Sequence, residues 1–244
     1  MFKYKKPLIC IPVVAEDEDG INKNIEEIKK SYFDIIEFRI DYLKECFDIN
    51  KIKKYARIIK ENLNASVILT FRTKMEGGEK EITPSEYEKL LKSLMDEKVD
   101  ADIIDVEAKI DEDVVKNLID YAHANGYKII LSNHNFAKTP AENEIISLMH
   151  YMDDLGGDII KTAYMPNDFD DVLRVMSCTK KACDEIDKPI VSMSMSELGK
   201  ISRINGELFG SYITFGSVMK ASAPGQVDAL KLKSILDGID KACK

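Results

Sequence analysis

The stretch VILTFRTKMEGGEKEITPSEYEKLLKSLMD, residues 67–96, holds one complete strand–loop–helix unit. Val67 to Arg72 is a short apolar run that stops on a cation, the pattern of a strand buried on both faces. Gly77-Gly78 marks the loop, and Thr83-Pro84-Ser85-Glu86 announces a helix from Glu86 to Asp96. A capping threonine, a proline at the first helical position and a glutamate three residues after the cap form a helix start. Thr139-Pro140-Ala141-Glu142 carries the same signal and predicts a second helix start.

Working outward, the unit recurs along the whole chain. Apolar runs occur at LICIPVV (8–14), DIIEFR (34–39), VILTFR (67–72), ADIIDVE (101–107), KIILSNH (128–134), DIIKTA (158–163), PIVSMSM (189–195) and YITFGS (212–217). Amphipathic helical spacing fills 21–32, 49–62, 86–96, 112–125, 141–155, 169–186, 198–208 and 227–243. Eight alternations in 244 residues predict an α/β fold, a single (β/α)8 TIM barrel over residues 1–244. No G-x-G-x-x-G follows the first strand, which argues against a dinucleotide-binding sheet, and no shift in composition marks a domain boundary.

Composition narrows the function classes. The chain is 45% hydrophobic and 32% charged, with a formal charge of −8. No basic tract with interleaved aromatics is present, so no nucleic-acid partner is expected. No run approaches the ~20 apolar residues of a membrane span, and the basic start leading into LICIPVV reads as a first strand. The five cysteines, Cys10, Cys46, Cys178, Cys183 and Cys243, show no metal-type spacing. They read as reduced thiols of a cytoplasmic protein.

In such barrels chemistry sits at the C-terminal ends of the strands. Those ends carry Glu37 and Arg39, Arg72, His134, Lys161, and Met193 with Met195. Glu37 and Arg39 share one strand face, and an ion pair between them would be the structural reading. A lone strand-end histidine or lysine is commonly structural too, and the two methionines alone would be packing. His123 and His150 lie inside helices and are given no site role. Together, though, several cations converge on one barrel mouth of an acidic protein, which suits an anionic ligand. Neighbouring cations and burial would favour a neutral Lys161 amine, a nucleophile toward carbonyls, with His134 placed to move a proton. The residues alone thus indicate a Schiff-base lyase or aldolase, free of metal and cofactor, acting on an anionic carbonyl compound.

Seven segments resemble the type I 3-dehydroquinate dehydratase family. They are EFRIDYL (37–43), TFRTKMEGGE (70–79), IDVE (104–107), ILSNHNFAKTP (130–140), DIIKTAYMPND (158–168), SMSMSELGKISRINGELFGS (192–211) and TFGSVMKASAPGQ (214–226). The resemblance implies that Lys161 forms a Schiff base with the C3 ketone of 3-dehydroquinate. His134 is then the general base and acid, and Glu76 the carboxylate that positions it. It further implies substrate-binding roles for Glu37, Arg39, Arg72, Met193, Met195, Arg203, Phe215, Ser222 and Gln226, with Arg203 taking the substrate carboxylate. Shikimate-pathway activity, no cofactor, and a homodimer are implied as well. KASAPGQ (220–226) has the composition of a lid over the mouth or of a plain connection. Asn135 departs from the aspartate usual after the family's histidine.

Two other readings compete. A class I aldolase on a phosphorylated sugar would use a similar lysine, but the chain offers only TFGS (214–217) as a thin phosphate-loop candidate. A degenerate barrel serving as a binding module predicts loss of Lys161, His134 or Arg203, and all three are present.

Overall fold

The computed structural model describes residues 5–219 and 222–243, with the Cys243 side chain excluded. Lys220 and Ala221 of the 220–226 segment, read as a lid or a plain connection, and residues 1–4 before the first strand, lie outside the described residues. The barrel strands are β1 (Leu8–Val13), β2 (Ile35–Arg39), β3 (Ser66–Thr70), β4 (Ile103–Glu107), β5 (Lys128–Asn135), β6 (Ile159–Tyr164), β7 (Ile190–Ser194) and β8 (Ile213–Ser217). All pair in parallel in the order β7-β6-β5-β4-β3-β2-β1-β8, with a two-residue β9 (Val227–Asp228) appended to β8. The ring closes between β7 and β8 through one bridge, Ile190 with Ser211, where the Tyr212 N–H donates to the Ile190 carbonyl at 2.7 Å. This curled α/β sheet is the expected (β/α)8 architecture.

Helices α1 (Glu18–Ile28), α2 (Ile49–Leu63), α3 (Pro84–Asp96), α4 (Glu112–Ala124), α5 (Glu142–Asp154) and α6 (Phe169–Glu185) follow the first six strands. The chain ends on α9 (Ala229–Cys243). α3 begins as its sequence predicts, with Thr83 Oγ1 accepting from the Glu86 N–H and the Glu86 carboxylate accepting from the Thr83 N–H. Two expectations fail. The helix predicted over 198–208 divides into α7 (Lys200–Ile204) and α8 (Gly206–Phe209) at Asn205, where glycine follows a turn-forming residue. Thr139 does not cap α5: its hydroxyl donates instead to the Met165 carbonyl at 3.0 Å. The Ala141 N–H is held by the Glu144 carboxylate at 2.9 Å, so the cap sits two residues later.

An Asp-Ile-Ile triplet opens three of the four even-numbered strands, β2, β4 and β6, at Asp34, Asp102 and Asp158. Each aspartate accepts a hydrogen bond from a backbone N–H of the preceding strand: Ile9, Val67 and Ile129 at 2.8, 2.7 and 2.8 Å. These bonds fasten neighbouring strands at the base of the barrel. Alternation then sends the two isoleucines opposite ways. Ile35, Ile103 and Ile159 join Ile68, Ile130 and Ile213 in the cluster inside the barrel. Ile36, Ile104 and Ile160 pack in the outer core beneath the helices. The next inward position above each triplet is charged: Glu37, Asp105 and Lys161. In a barrel whose interior is layered by alternate strands, those three residues occupy one layer above an apolar floor.

Ile130 tests that floor, being wholly buried inside the barrel. Ile130→Ala is expected to lower unfolding stability by about 2–5 kcal/mol, read as a reduced urea midpoint with an unchanged slope. A loss below about 1 kcal/mol would contradict a close-packed interior at this position.

Candidate active site

Lys161 is 4% exposed. Its Nζ donates to Asp105 Oδ2 at 3.1 Å and to Glu37 Oε1 at 3.3 Å, and it lies 4.7 Å from the centre of the Phe215 ring. Even-numbered strands therefore supply a lysine, two carboxylates and an aromatic face to one layer. Asp105 is wholly buried, and its second oxygen accepts from Arg72 Nη2 at 2.8 Å and Ser132 Oγ at 2.6 Å. Burial disfavours that charge, yet Arg72 and then Lys161 outweigh it, with Ser132 adding a hydrogen bond. The Asp105 carboxyl is held at about 2.

The ends of β4 and β5 and the segment following β3 build the tier above. Arg72 also donates to Glu107 at 3.0 Å and to Ser132 at 2.9 Å, and approaches Glu76 Oε2 at 3.6 Å. Glu76 Oε2 meets His134 Nδ1 at 2.9 Å and accepts from the His134 backbone N–H at 2.9 Å. Its other oxygen accepts from Asn133 Nδ2 at 2.9 Å. Burial, then the positive charges of Arg72, Lys161 and Arg39, hold the His134 imidazole well below its ordinary value. Burial pushes the Glu76 carboxyl up to about 8, with Glu107 adding to the rise and Arg72 opposing it. Nε2 of His134 has no protein hydrogen bond among the described residues.

Glu76 reaches His134 because the chain after β3 turns back sharply. Lys74–Glu76 form a 3₁₀ turn that Gly77 ends in the left-handed region at φ 86°. A Cβ on Gly77 would fall 2.2 Å from the Phe136 ring, and one on Gly78 would fall 1.9 Å from the Arg72 carbonyl oxygen. The pair, read from sequence only as marking the loop, is needed for close backbone approach.

Arg203, from α7, forms the opposite wall and is 1% exposed. Its Nη1 lies 3.3 Å from Met193 Sδ, its Nη2 donates to the Pro224 carbonyl at 3.0 Å, and its Nε has no partner. No carboxylate pairs with it among the described residues, and burial lowers the guanidinium to about 10. Above it the Ser222 N–H donates to Gln226 Oε1, and Gln226 Nε2 donates to Ser222 Oγ, both at 2.9 Å.

All twelve residues singled out in the sequence line one cavity at the barrel mouth: Glu37, Arg39, Arg72, Glu76, His134, Lys161, Met193, Met195, Arg203, Phe215, Ser222 and Gln226. Their surroundings differ from expectation in three ways. Glu37 and Arg39 do not pair with each other: Glu37 meets Lys161 and Thr70, and Arg39 makes a two-pronged contact with Asp41 at 2.8 Å. Lys161 is held directly by carboxylates, not surrounded by cations. Arg39 and Arg72 already have internal carboxylates, which leaves Arg203 as the buried guanidinium without one. Sequence reasoning passed over Asp105, Glu107, Asp41, Ser132 and Asn133. Asp105 and Glu107 carried a usable signal, two acids at alternate positions in an otherwise apolar strand. His123 and His150 are partly exposed and pair with Asp158 and Glu185. Asn135, the departure from the usual aspartate, accepts from the Ala137 and Lys138 N–H groups through its side chain.

A family profile described as type I 3-dehydroquinase matches residues 9–242. The 3-dehydroquinate dehydratase of Clostridium botulinum (strain Eklund 17B / Type B) is 44% identical over 94% of this chain and 91% of its own. That of Clostridioides difficile (strain 630) is 37% identical over 97% and 93%. The crystal structure of the type I 3-dehydroquinate dehydratase of Clostridium difficile with covalent modified comenic acid superposes with a TM-score of 0.92. It is 36% identical, covering 99% of this chain and 95% of that one.

Gly78→Ala is expected to reduce activity by more than about tenfold and stability by about 1–3 kcal/mol, because the new methyl must displace the Arg72 backbone and, with it, Glu76. Activity assays and urea unfolding read both effects; wild-type values would show that the turn does not hold Glu76 in place.

Proposed function

This chain belongs to the type I 3-dehydroquinase family, and from that premise we propose that it removes water from 3-dehydroquinate to give 3-dehydroshikimate in the shikimate pathway. The proposed route is a Schiff base on Lys161 with His134 as general base and acid. The observation that carries it is the composition of one cavity: a buried lysine and a free imidazole nitrogen face a wall holding an uncompensated guanidinium. A small anionic ketone meets each demand. Its carboxylate pairs with Arg203, and its carbonyl reaches the amine.

In this reading Lys161 adds to C3 as its neutral amine, and loss of water from the carbinolamine leaves an iminium. The iminium draws electrons from C2, so His134 can take that proton without help from a metal. The same imidazole, now protonated, gives its proton to the departing C1 hydroxyl. Hydrolysis of the conjugated iminium then releases the product and the amine. Met193, Met195 and Phe215 supply an apolar wall against the ring, and Ser222 and Gln226 polar contacts to it. Glu37, Arg39 and Arg72 contribute local charge and contacts to the ring hydroxyls. The cytoplasmic location read from the cysteines and the homodimer implied by the family resemblance belong to the same proposal.

Glu76 sets which nitrogen of His134 is basic. As a carboxylate it requires Nδ1 to donate, which frees the lone pair of Nε2. Once protonated, Glu76 donates to Nδ1 and the proton moves to Nε2, which then cannot act as a base. The pair titrates as a unit. Glu76 and His134 also border an outer cleft with Thr73, Ile82 and Phe136, which supports proton exchange on the side away from substrate.

Borohydride reduction with 3-dehydroquinate should leave a stable adduct on the Lys161 peptide. Lys161→Ala should abolish turnover, whereas His134→Ala should still be trapped while losing at least about 100-fold in rate. An adduct on another lysine, or none, sinks the Schiff-base reading. The pH profile supplies an independent check. kcat/KM is expected to rise as the Glu76–His134 pair loses its proton and to level off above about 8. In Glu76→Gln only the low imidazole remains, so the inflection should move to lower pH and the plateau should fall. An unmoved inflection would remove Glu76 from the pair.

A further inference from the structure

We propose that Asp105 is the positioning residue of Lys161, a fixed anion that aims the amine at the carbonyl and balances the positive charge on that nitrogen before and after the imine forms. The inference rests on Lys161 being the Schiff-base nucleophile. Two carboxylates touch Nζ, and they are held differently. Glu37 borders the cavity and is tied to Thr70 Oγ1 at 3.1 Å. Asp105 is wholly buried and does not line the cavity, so it acts through Lys161. One of its oxygens receives Lys161, and the other receives Arg72 and Ser132. A carboxylate gripped from three directions has one orientation, and it transmits that orientation to the amine.

The chemistry explains why a fixed anion suits this place. Overall, lysine ammonium and ketone become a protonated imine and water. A C–N bond forms, the C–O bond breaks, two protons leave with the carbonyl oxygen, and one stays on nitrogen. The charge beside Asp105 is +1 at the start and +1 at the end. Removal of the C2 proton sends its electron pair into the C2–C3 bond and neutralises nitrogen, and departure of the C1 hydroxyl as water restores the charge. An anion held ionised throughout matches both cationic states without itself gaining or losing a proton. Asp105 should therefore matter most to imine formation and hydrolysis, and little to the carboxylate contact at Arg203.

The test is the rate of borohydride trapping with 3-dehydroquinate in wild type, Asp105→Asn and Ser132→Ala. Adduct on Lys161 in wild type establishes the underlying reading, and its absence there would overturn that reading whatever the variants do. Given that adduct, Asp105→Asn should trap about 10- to 100-fold more slowly. Its kcat should fall in proportion, and KM should change by less than about threefold. Ser132→Ala removes only one grip on Asp105 and should slow trapping and kcat about three- to tenfold, again at near-constant KM. Wild-type trapping rates in Asp105→Asn, or a loss confined to KM, would overturn the proposal. If Asp105→Asn does not fold, Ser132→Ala decides, and wild-type trapping and kcat in that variant would overturn it.

Discussion

The structure depends on placing a lysine charge inside a parallel barrel. Bringing an ammonium and its partners out of water costs several kcal/mol per ion in the absence of good geometry. The barrel meets that cost with two carboxylates from the strands flanking β3, Glu37 on β2 and Asp105 on β4. Asp105 is in turn shared with Arg72, and Arg72 with Glu107 and Glu76. Removing Arg72 would leave the buried Glu107 without its cation, and removing Lys161 would leave Glu37 without its own. The layer is therefore strongly coupled, and its geometry is set by strand register rather than by flexible side chains.

That layer stands on a repeated local device. At each Asp-Ile-Ile triplet the aspartate ties its strand to the one before, the first isoleucine fills the barrel floor and the second supports the helices. The residue that follows is consequently delivered to a fixed height inside the barrel. Three copies on β2, β4 and β6 bring Glu37, Asp105 and Lys161 to a common level. The tier above uses the same scaffold differently, since the Gly77-Gly78 turn folds Glu76 back over β3 to reach His134 on β5.

Most of the architecture was legible in the chain, because alternating apolar runs and amphipathic helices report directly on burial. Boundaries followed local chemistry less faithfully. Thr83 caps α3, but Thr139, in the same local pattern, bonds to Met165, a contact that exists only after β6 is in place. The strand-end part of the cavity's lining was also readable, since strand ends in such barrels point toward the mouth, whereas Glu76, Arg203, Ser222 and Gln226 were implied only by the family resemblance. The pairing of its charges was not. Lys161 meets Glu37 across a sequence separation of 124 residues, and which strands face each other across the interior depends on stagger around the closed sheet. Glu37 and Arg39 look like partners on one strand face, yet each finds a better one elsewhere: Asp41 beside Arg39, and Lys161 beyond the barrel axis.

This redistribution changes what the cations at the mouth can do. Counting Arg39, Arg72, Arg203 and Lys161 together suggests a broadly positive cavity in an acidic protein. Once Asp41, Asp105, Glu107 and Glu37 are placed, three of those charges are matched within the protein. Arg39 and Arg72 act chiefly on neighbouring groups, helping to keep His134 uncharged. Arg203 differs because burial alone governs it, and its Nε meets no acceptor. A desolvated guanidinium in that state gains more from an incoming carboxylate than an already paired one would. Under the proposed function, recognition of the substrate anion is thus concentrated in one residue, Arg203. In the proposed reaction the substrate carboxylate is anchored there, while the other cations stay committed to the scaffold that holds the amine.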